Sequence, residues 1–167
     1  AKLCAGQMTR QVCEKLGMNH IWVRILSVYG PHDGENSMVS HTIKVLMNGQ
    51  RAAFTPGEQM WDYLYSGDAA EAFWQIAQKG KSGKTYVLGS GECHRLKSYI
   101  EQIYRAVCEV MDHPGTLGIG DIAYADRQVM YLGADLTELT EDTGFVPNTP
   151  FETGIRRTLA FAVNGRI

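Results

Sequence analysis

The sequence predicts an α/β fold, and three observations point to it. First, Ile21 to Pro31 begins as a nearly continuous apolar run broken by Arg24 and stops at Tyr29-Gly30-Pro31. A short apolar run that ends on a Gly-Pro break reads as a strand buried on both faces. Second, a helical period precedes this run. Third, strand-like and helix-like segments alternate through the rest of the chain, the pattern of layered α/β domains. The break places the residues after Ser27 at the carboxyl end of the strand, where open parallel sheets bind their ligands.

Lys2 to Leu16 reads as a helix because Ala5, Met8, Val12 and Leu16 recur at three- and four-residue steps on one face. Gly17 suits its end, since glycine takes the left-handed conformation without penalty. Gly6 inside it costs about 1 kcal/mol relative to alanine, which suggests close packing against another element.

After the first strand, His32 to Ser37 is polar and turn-forming, and Ser37 suits the cap of a short helix carrying Met38, Thr42, Val45 and Leu46. Arg51 to Thr55 is a short strand candidate. Gln59 to Tyr65 is aromatic-rich and reads as a strand. Its alternation puts Trp61, Tyr63 and Tyr65 on one face and Asp62 and Leu64 on the other. Gly67-Asp68 then opens a helix through Ala72 and Ile76, with Asp68 in the first turn, where a negative charge acts as a cap. Thr85 to Leu88 is a β-branched and aromatic strand. Gly89-Ser90-Gly91 is a turn and lacks the Lys-Ser/Thr of a phosphate loop. Leu96 to Met111 reads as a helix that buries Tyr99, Ile100, Ile103, Val107 and Val110. Leu117 to Ala123 is Gly-rich and unassigned. Arg127 to Tyr131 is a short strand candidate, Asp135 to Thr143 a short helix, and Phe151 to Val163 a final amphipathic helix.

The length of 167 residues suits one domain with a core of its own. A net charge of -2 leaves no basic footprint, which argues against a nucleic-acid partner. No apolar run is long enough to span a bilayer, so no membrane role is expected. The four cysteines form no Cys-x-x-Cys pair, and reduced thiols in a cytoplasmic protein are the expectation. Of the five histidines, only His94, next to Cys93, merits a check for metal, and no metal is expected.

Several stretches together resemble the C-terminal part of extended short-chain dehydrogenase/reductases, the NAD-dependent epimerase/dehydratase family that acts on nucleotide-linked sugars. Arg24-Ile-Leu-Ser-Val-Tyr-Gly-Pro31 is similar to that family's Arg-x-x-Asn-Val-Tyr-Gly-Pro. The stretch from Gly57 to Ala72 is similar to Gly-x-Gln-x-Arg-Asp-Phe-x-x-Val-x-Asp-x-Ala-x-Ala. Tyr86-Val-Leu-Gly-Ser-Gly91 resembles Tyr-Asn-x-Gly-x-Gly, and Asp135 to Pro147 resembles a motif that ends Leu-Gly-Phe-x-Pro. Order and spacing match over nearly the whole chain.

The resemblance implies the C-terminal part of an NAD(P)-binding Rossmann-type fold with its smaller substrate-binding subdomain. Residues 1–31 would end the Rossmann part, and residues 32–167 would be mainly substrate-binding. It implies NAD or NADP as cofactor, a nucleotide sugar as substrate, and a homodimer in which the first helix packs. Lys2 falls where the family has the Lys of its catalytic Tyr-x-x-x-Lys pair, which also reaches the cofactor's ribose. The Tyr and the Gly-rich dinucleotide loop would lie upstream of Ala1, so this chain alone is expected to be inactive. Ile25 and Leu26 correspond to residues whose backbone lies along the nicotinamide. Ser27 stands where the family has a substrate-binding Asn. Asn36 and Ser37 match the loop over the sugar nucleotide, and Ala53 and Phe54 the strand beside the base. Arg127 is the candidate to grip the diphosphate. Trp61 stands where the family often has an Arg against the diphosphate, and Trp brings a flat apolar face with no charge. Two other readings stay open at this stage: a reductase of a non-sugar carbonyl, and a non-catalytic binding member.

Overall fold

The computed structural model describes residues 1–164, built from six helices and eight short strands. Helix α1 (Lys2–Lys15) follows the predicted period and stops before Gly17, whose φ is +66°. None of its residues is buried, and its apolar stripe, with Met8 66% and Val12 53% exposed, faces outward.

The apolar run after α1 is one strand in the prediction and two in the structure. β1 (Trp22–Ile25) pairs with one neighbour and β2 (Ser27–Tyr29) with another. Burial on both faces fails for β1: Arg24 is exposed and Ile25 is 50% exposed, because no described element packs over them. It holds better toward the end of β2, where Tyr29 is buried.

Ser37 caps α2 (Met38–Met47), its hydroxyl accepting the Ser40 N–H at 3.2 Å. β3 (Arg51–Phe54) follows, then β4 (Met60–Tyr65), whose alternation buries Asp62 and Leu64 as the sequence indicates. α3 (Ser66–Lys79) leads to β5 (Thr85–Leu88). Asp68 does not cap α3 through its side chain. Its carboxylate instead accepts the N–H groups of Asn148 and Thr149, at 3.2 and 2.9 Å, and so ties a distant loop to the helix start.

β6 (Cys93–Arg95) leads directly into α4 (Leu96–Cys108), which ends three residues before the predicted Met111 and leaves Val110 exposed. The unassigned Gly-rich stretch contains β7 (Thr116–Ile119). The candidate strand at Arg127 shrinks to β8 (Tyr131–Leu132). α5 (Thr137–Thr143) and α6 (Phe151–Val163) complete the chain.

Three small sheets result. β1 and β5 run parallel, so a strand from the later part of the chain returns to the first. β2 runs parallel to β4, which also pairs antiparallel with β6 and parallel with β8. β3 and β7 form a parallel pair with Ala53 opposite Gly118. Two apolar clusters hold the sheets. One joins α2, α4 and α6 around Ile43, Leu46, Ile100, Ile103 and Ile155. The other packs α3 and α5 against Leu64, Tyr86 and Leu88. Asp142 on α5 is fastened to the turn before β5 by Lys81 and Lys84 and by the Tyr86 hydroxyl, which donates to it at 2.8 Å. These partners, Lys81 first, hold its carboxyl well below the usual carboxylate range. No helix among the described residues is long and apolar enough to cross a membrane.

Candidate functional site

The change of partner at Leu26 shapes the site. Leu26 N–H still bonds the Leu88 carbonyl at 2.9 Å, while Ser27 already lies opposite Tyr63 of β4. The chain thus steps from one sheet to the next between Ile25 and Ser27. Ile25 remains an exposed apolar side chain at the end of β1, and Ser27 begins the next ladder beside it.

On β4, Trp61 lies on the face opposite buried Asp62, the side its alternation predicts. Its indole Nε1–H donates to the Ser27 Oγ at 2.8 Å. The structure therefore joins two of the positions at which the sequence departs from the family motifs. A hydroxyl has one hydrogen to give, and accepting from Trp61 leaves that hydrogen free for a ligand oxygen.

Behind Trp61 stands a set of aromatic rings. Tyr63 and Tyr99 meet edge to face at 5.1 Å between centroids, and Tyr99 and Phe151 at 4.5 Å. The Tyr99 hydroxyl donates to the Trp61 carbonyl at 3.1 Å and fixes that strand. Burial pushes the phenols of Tyr29, Tyr63 and Tyr99 well above the ordinary tyrosine value, so all three stay neutral donors at physiological pH. A cleft of about 350 Å³ opens beside them, lined by Tyr63, Ser90, His94, Tyr99 and Phe151 among others. None of the sequence-predicted site residues lines it.

The opposite face of β4 carries a feature that sequence reasoning missed. The Asp62 carboxylate, 0% exposed, accepts N–H bonds from Ser90 at 2.6 Å, Gly91 at 3.0 Å and Ala134 at 3.1 Å. It holds the Gly-Ser-Gly turn against β4. The available signal was a carboxylate placed by alternation on the same face as Leu64: a buried charge needs donors, and a nearby Gly-rich turn offers bare backbone N–H groups.

The other predicted positions are dispersed. Lys2 opens α1 and is exposed, with no hydrogen bond or ion pair among the described residues. Asn36 is exposed on the loop, and the Ser37 hydroxyl is committed to the cap and to Asp33, to which it donates at 2.5 Å. Alternation along β3 turns Ala53 outward and sends Phe54 into the core. Beside Ala53, Arg51 makes a two-pronged pair with Asp121 at 2.7 and 2.9 Å, which holds the Asp121 carboxyl below its ordinary range. Arg127 is exposed in a turn, apart from Trp61 in sequence and without a bonded partner among the described residues. The four cysteines are free, and no cluster of metal-ligating side chains, His94 included, exists among the described residues.

The chain matches the sequence description of the NAD dependent epimerase/dehydratase family over residues 1–89. It is 24% identical over 177 aligned residues to a dTDP-glucose 4,6-dehydratase of Escherichia coli, covering 99% of this chain and 48% of that protein. It is 28% identical over 144 residues to the CDP-abequose synthase of Salmonella typhimurium, covering 82% of this chain and 46% of that protein. Among solved structures, a UDP-N-acetylglucosamine 4-epimerase from Methanobrevibacter ruminantium superposes with a TM-score of 0.81 at 20% identity, over 98% of this chain and 52% of that one. The α/β architecture is thus that of part of a Rossmann-type fold, and the chain spans about half the length of the relatives it matches. On the match over residues 1–89, the chain belongs to the NAD dependent epimerase/dehydratase family.

Proposed function

We propose that this chain is the C-terminal half of an NAD(P)-dependent epimerase, dehydratase or 4-keto reductase acting on a nucleotide-linked sugar. The observation that carries the reading is the Trp61–Ser27 hydrogen bond of 2.8 Å. It brings together, at the start of β2 just past the carboxyl end of β1, two positions that the family motifs place against the substrate.

The residues present fit a nicotinamide cofactor. Ile25, 50% exposed, offers an apolar surface at the strand end, and Leu26 offers backbone beside it. Lys2, exposed at the first turn of α1, offers an amine for a ribose hydroxyl. Bound NAD(P) supplies a hydride acceptor and donor. The amine of Lys2 favours the ionised form of a neighbouring phenol four residues upstream, which then takes the proton of a sugar hydroxyl. Ser27 gives its hydrogen to a sugar oxygen. Trp61 presents its flat ring where an Arg would grip diphosphate, so the sugar packs on an apolar wall and Arg127 carries the diphosphate charge. Asn36 and Ser37 close the loop over the sugar, and Ala53 lies beside the base on the outer face of β3, with Phe54 backing it from the core.

The outward stripe of α1 supports a homodimer in which this helix meets its copy. The free cysteines support a cytoplasmic setting.

The test uses the full-length protein with NAD and NADP and a panel of dTDP-, UDP- and CDP-sugars, followed by NMR of the sugar. Conversion of at least one sugar, lost with Lys2→Ala, is expected. Reduction of simple ketones with no sugar converted would instead favour a non-sugar reductase, and nucleotide-sugar binding without turnover a binding member.

A further inference from the structure

A second cavity lies between α1 and the amino ends of β1 and β5, at the opposite end of β1 from Ser27. We propose that it binds the phosphate group of a small phosphorylated molecule. Its volume is about 180 Å³, and Arg10, His20, Trp22, Arg24, Lys84 and Thr85 line it together with Gly6. Among the described residues, no carboxylate lines it.

Glycine at residue 6 lets α1 lie close on the indole that forms one wall of the cavity. A Cβ at Gly6 would stand 2.9 Å from the Trp22 ring, so the helix backbone rests on the indole and no side chain fills the space beside it. The His20 ring lies nearly parallel to Trp22, with centroids 6.3 Å apart, and completes an aromatic wall.

The cations differ in how far they are already used. Arg10 spends its Nε on Glu14 at 3.0 Å, and its Nη2 reaches across toward the turn at Gly83. Lys84 is neutralised by Asp142 at 2.7 Å. Arg24 has no ion pair or hydrogen bond among the described residues. A guanidinium that faces a carboxylate-free cavity matches the paired oxygens of a phosphate. Thr85 and Gln7 add neutral donors at the rim. Arg24 is therefore the principal ligand and Arg10 the second, and exposure of the site makes binding salt-sensitive.

This inference stands apart from the catalytic reading, and its test needs no turnover. The experiment titrates the full-length protein, saturated with NAD, with inorganic phosphate and pyrophosphate by calorimetry and by amide NMR, at low and high salt. Saturable binding with shifts at Trp22 and Gly83 is expected, weakened about tenfold by Arg24→Gln, the loss of a charge-assisted contact. Arg10→Gln is expected to weaken it less. Lys44→Gln, on α2, serves as the charge control and should leave binding unchanged. No saturable binding at millimolar anion, or equal weakening by Lys44→Gln and Arg24→Gln, would overturn the proposal.

Discussion

Replacing Asp62 tests the central claim about how the site is held. Its carboxylate is fully buried and accepts three backbone N–H groups, from Ser90, Gly91 and Ala134. Asp62→Ala strands all three donors, and each buried unsatisfied donor costs about 1–3 kcal/mol. The losses are not additive, since one water entering the gap would serve more than one donor. The expected destabilisation is about 3–5 kcal/mol. For a chain of this size 1 kcal/mol moves the melting temperature by about 2–4 °C, so a drop of at least about 6 °C is expected. Asp62→Asn is informative beside it. The Oδ2 position serves Gly91 and Ala134 and the Oδ1 position serves Ser90. An amide that keeps its oxygen at the first position turns its NH₂ toward the Ser90 N–H, donor against donor. Asn is therefore expected to fall between wild type and Ala. Thermal unfolding by circular dichroism reads both. A drop for Asp62→Ala of less than about 2 °C would show that the three bonds do not anchor the turn.

Three further predictions rest on the same structure. Asp142 has a folded-state pKa depressed by Lys81, Lys84 and Tyr86, so its stabilisation is present above its unfolded value of about 3.9 and fades as pH falls below it; Asp142→Asn should flatten the acid limb of a urea-midpoint profile. Tyr29, Tyr63 and Tyr99 are raised, so their contribution is intact below about pH 10 and is lost as pH climbs above that; an ultraviolet titration should find these three of the eight tyrosines ionising only with unfolding. Gly115 packs its Cα against the Gln50 carbonyl with no room for a methyl group, so Gly115→Ala should cost about 2 kcal/mol or more and lower the urea midpoint, whereas Gly34→Ala, where nothing lies nearby, should not.

How much of this was legible depends on whether a signal is local. α1, α2 and α6 follow from the spacing of their apolar residues, and the faces of β4 follow from alternation, because both periods belong to the segment itself. β6 was missed because Cys-His-Arg has nothing strand-like about it, and it is extended because it pairs with β4. β7 was missed because Gly118 interrupts its pattern, yet that glycine lies opposite Ala53 and leaves room for the paired Arg51 and Asp121 side chains. The break at Leu26 has no sequence mark, since a change of neighbour is a tertiary event. Asp68 read as a cap because the first turn of a helix favours a carboxylate, but its partners lie 80 and 81 residues away. The contact between Ser27 and Trp61 spans 34 residues and was equally hidden, although both residues were already singled out.

That contact sharpens what substitution at this site should mean. A Trp in place of Arg removes a cation, and a Ser in place of Asn shortens the reach toward a ligand. On the proposed function, each change considered separately weakens a substrate grip. Bonded together they form one unit, in which the indole orients the hydroxyl and the Tyr99 hydroxyl, donating to the Trp61 carbonyl, fixes the strand that carries the indole. The two positions should therefore fail as a pair. In the full-length protein, Ser27→Ala and Trp61→Phe each break the same bond, so the double substitution should weaken nucleotide-sugar binding by less than the sum of the single effects in free energy. If the two effects simply add, the hydrogen bond orients nothing, and Ser27 and Trp61 meet the substrate independently.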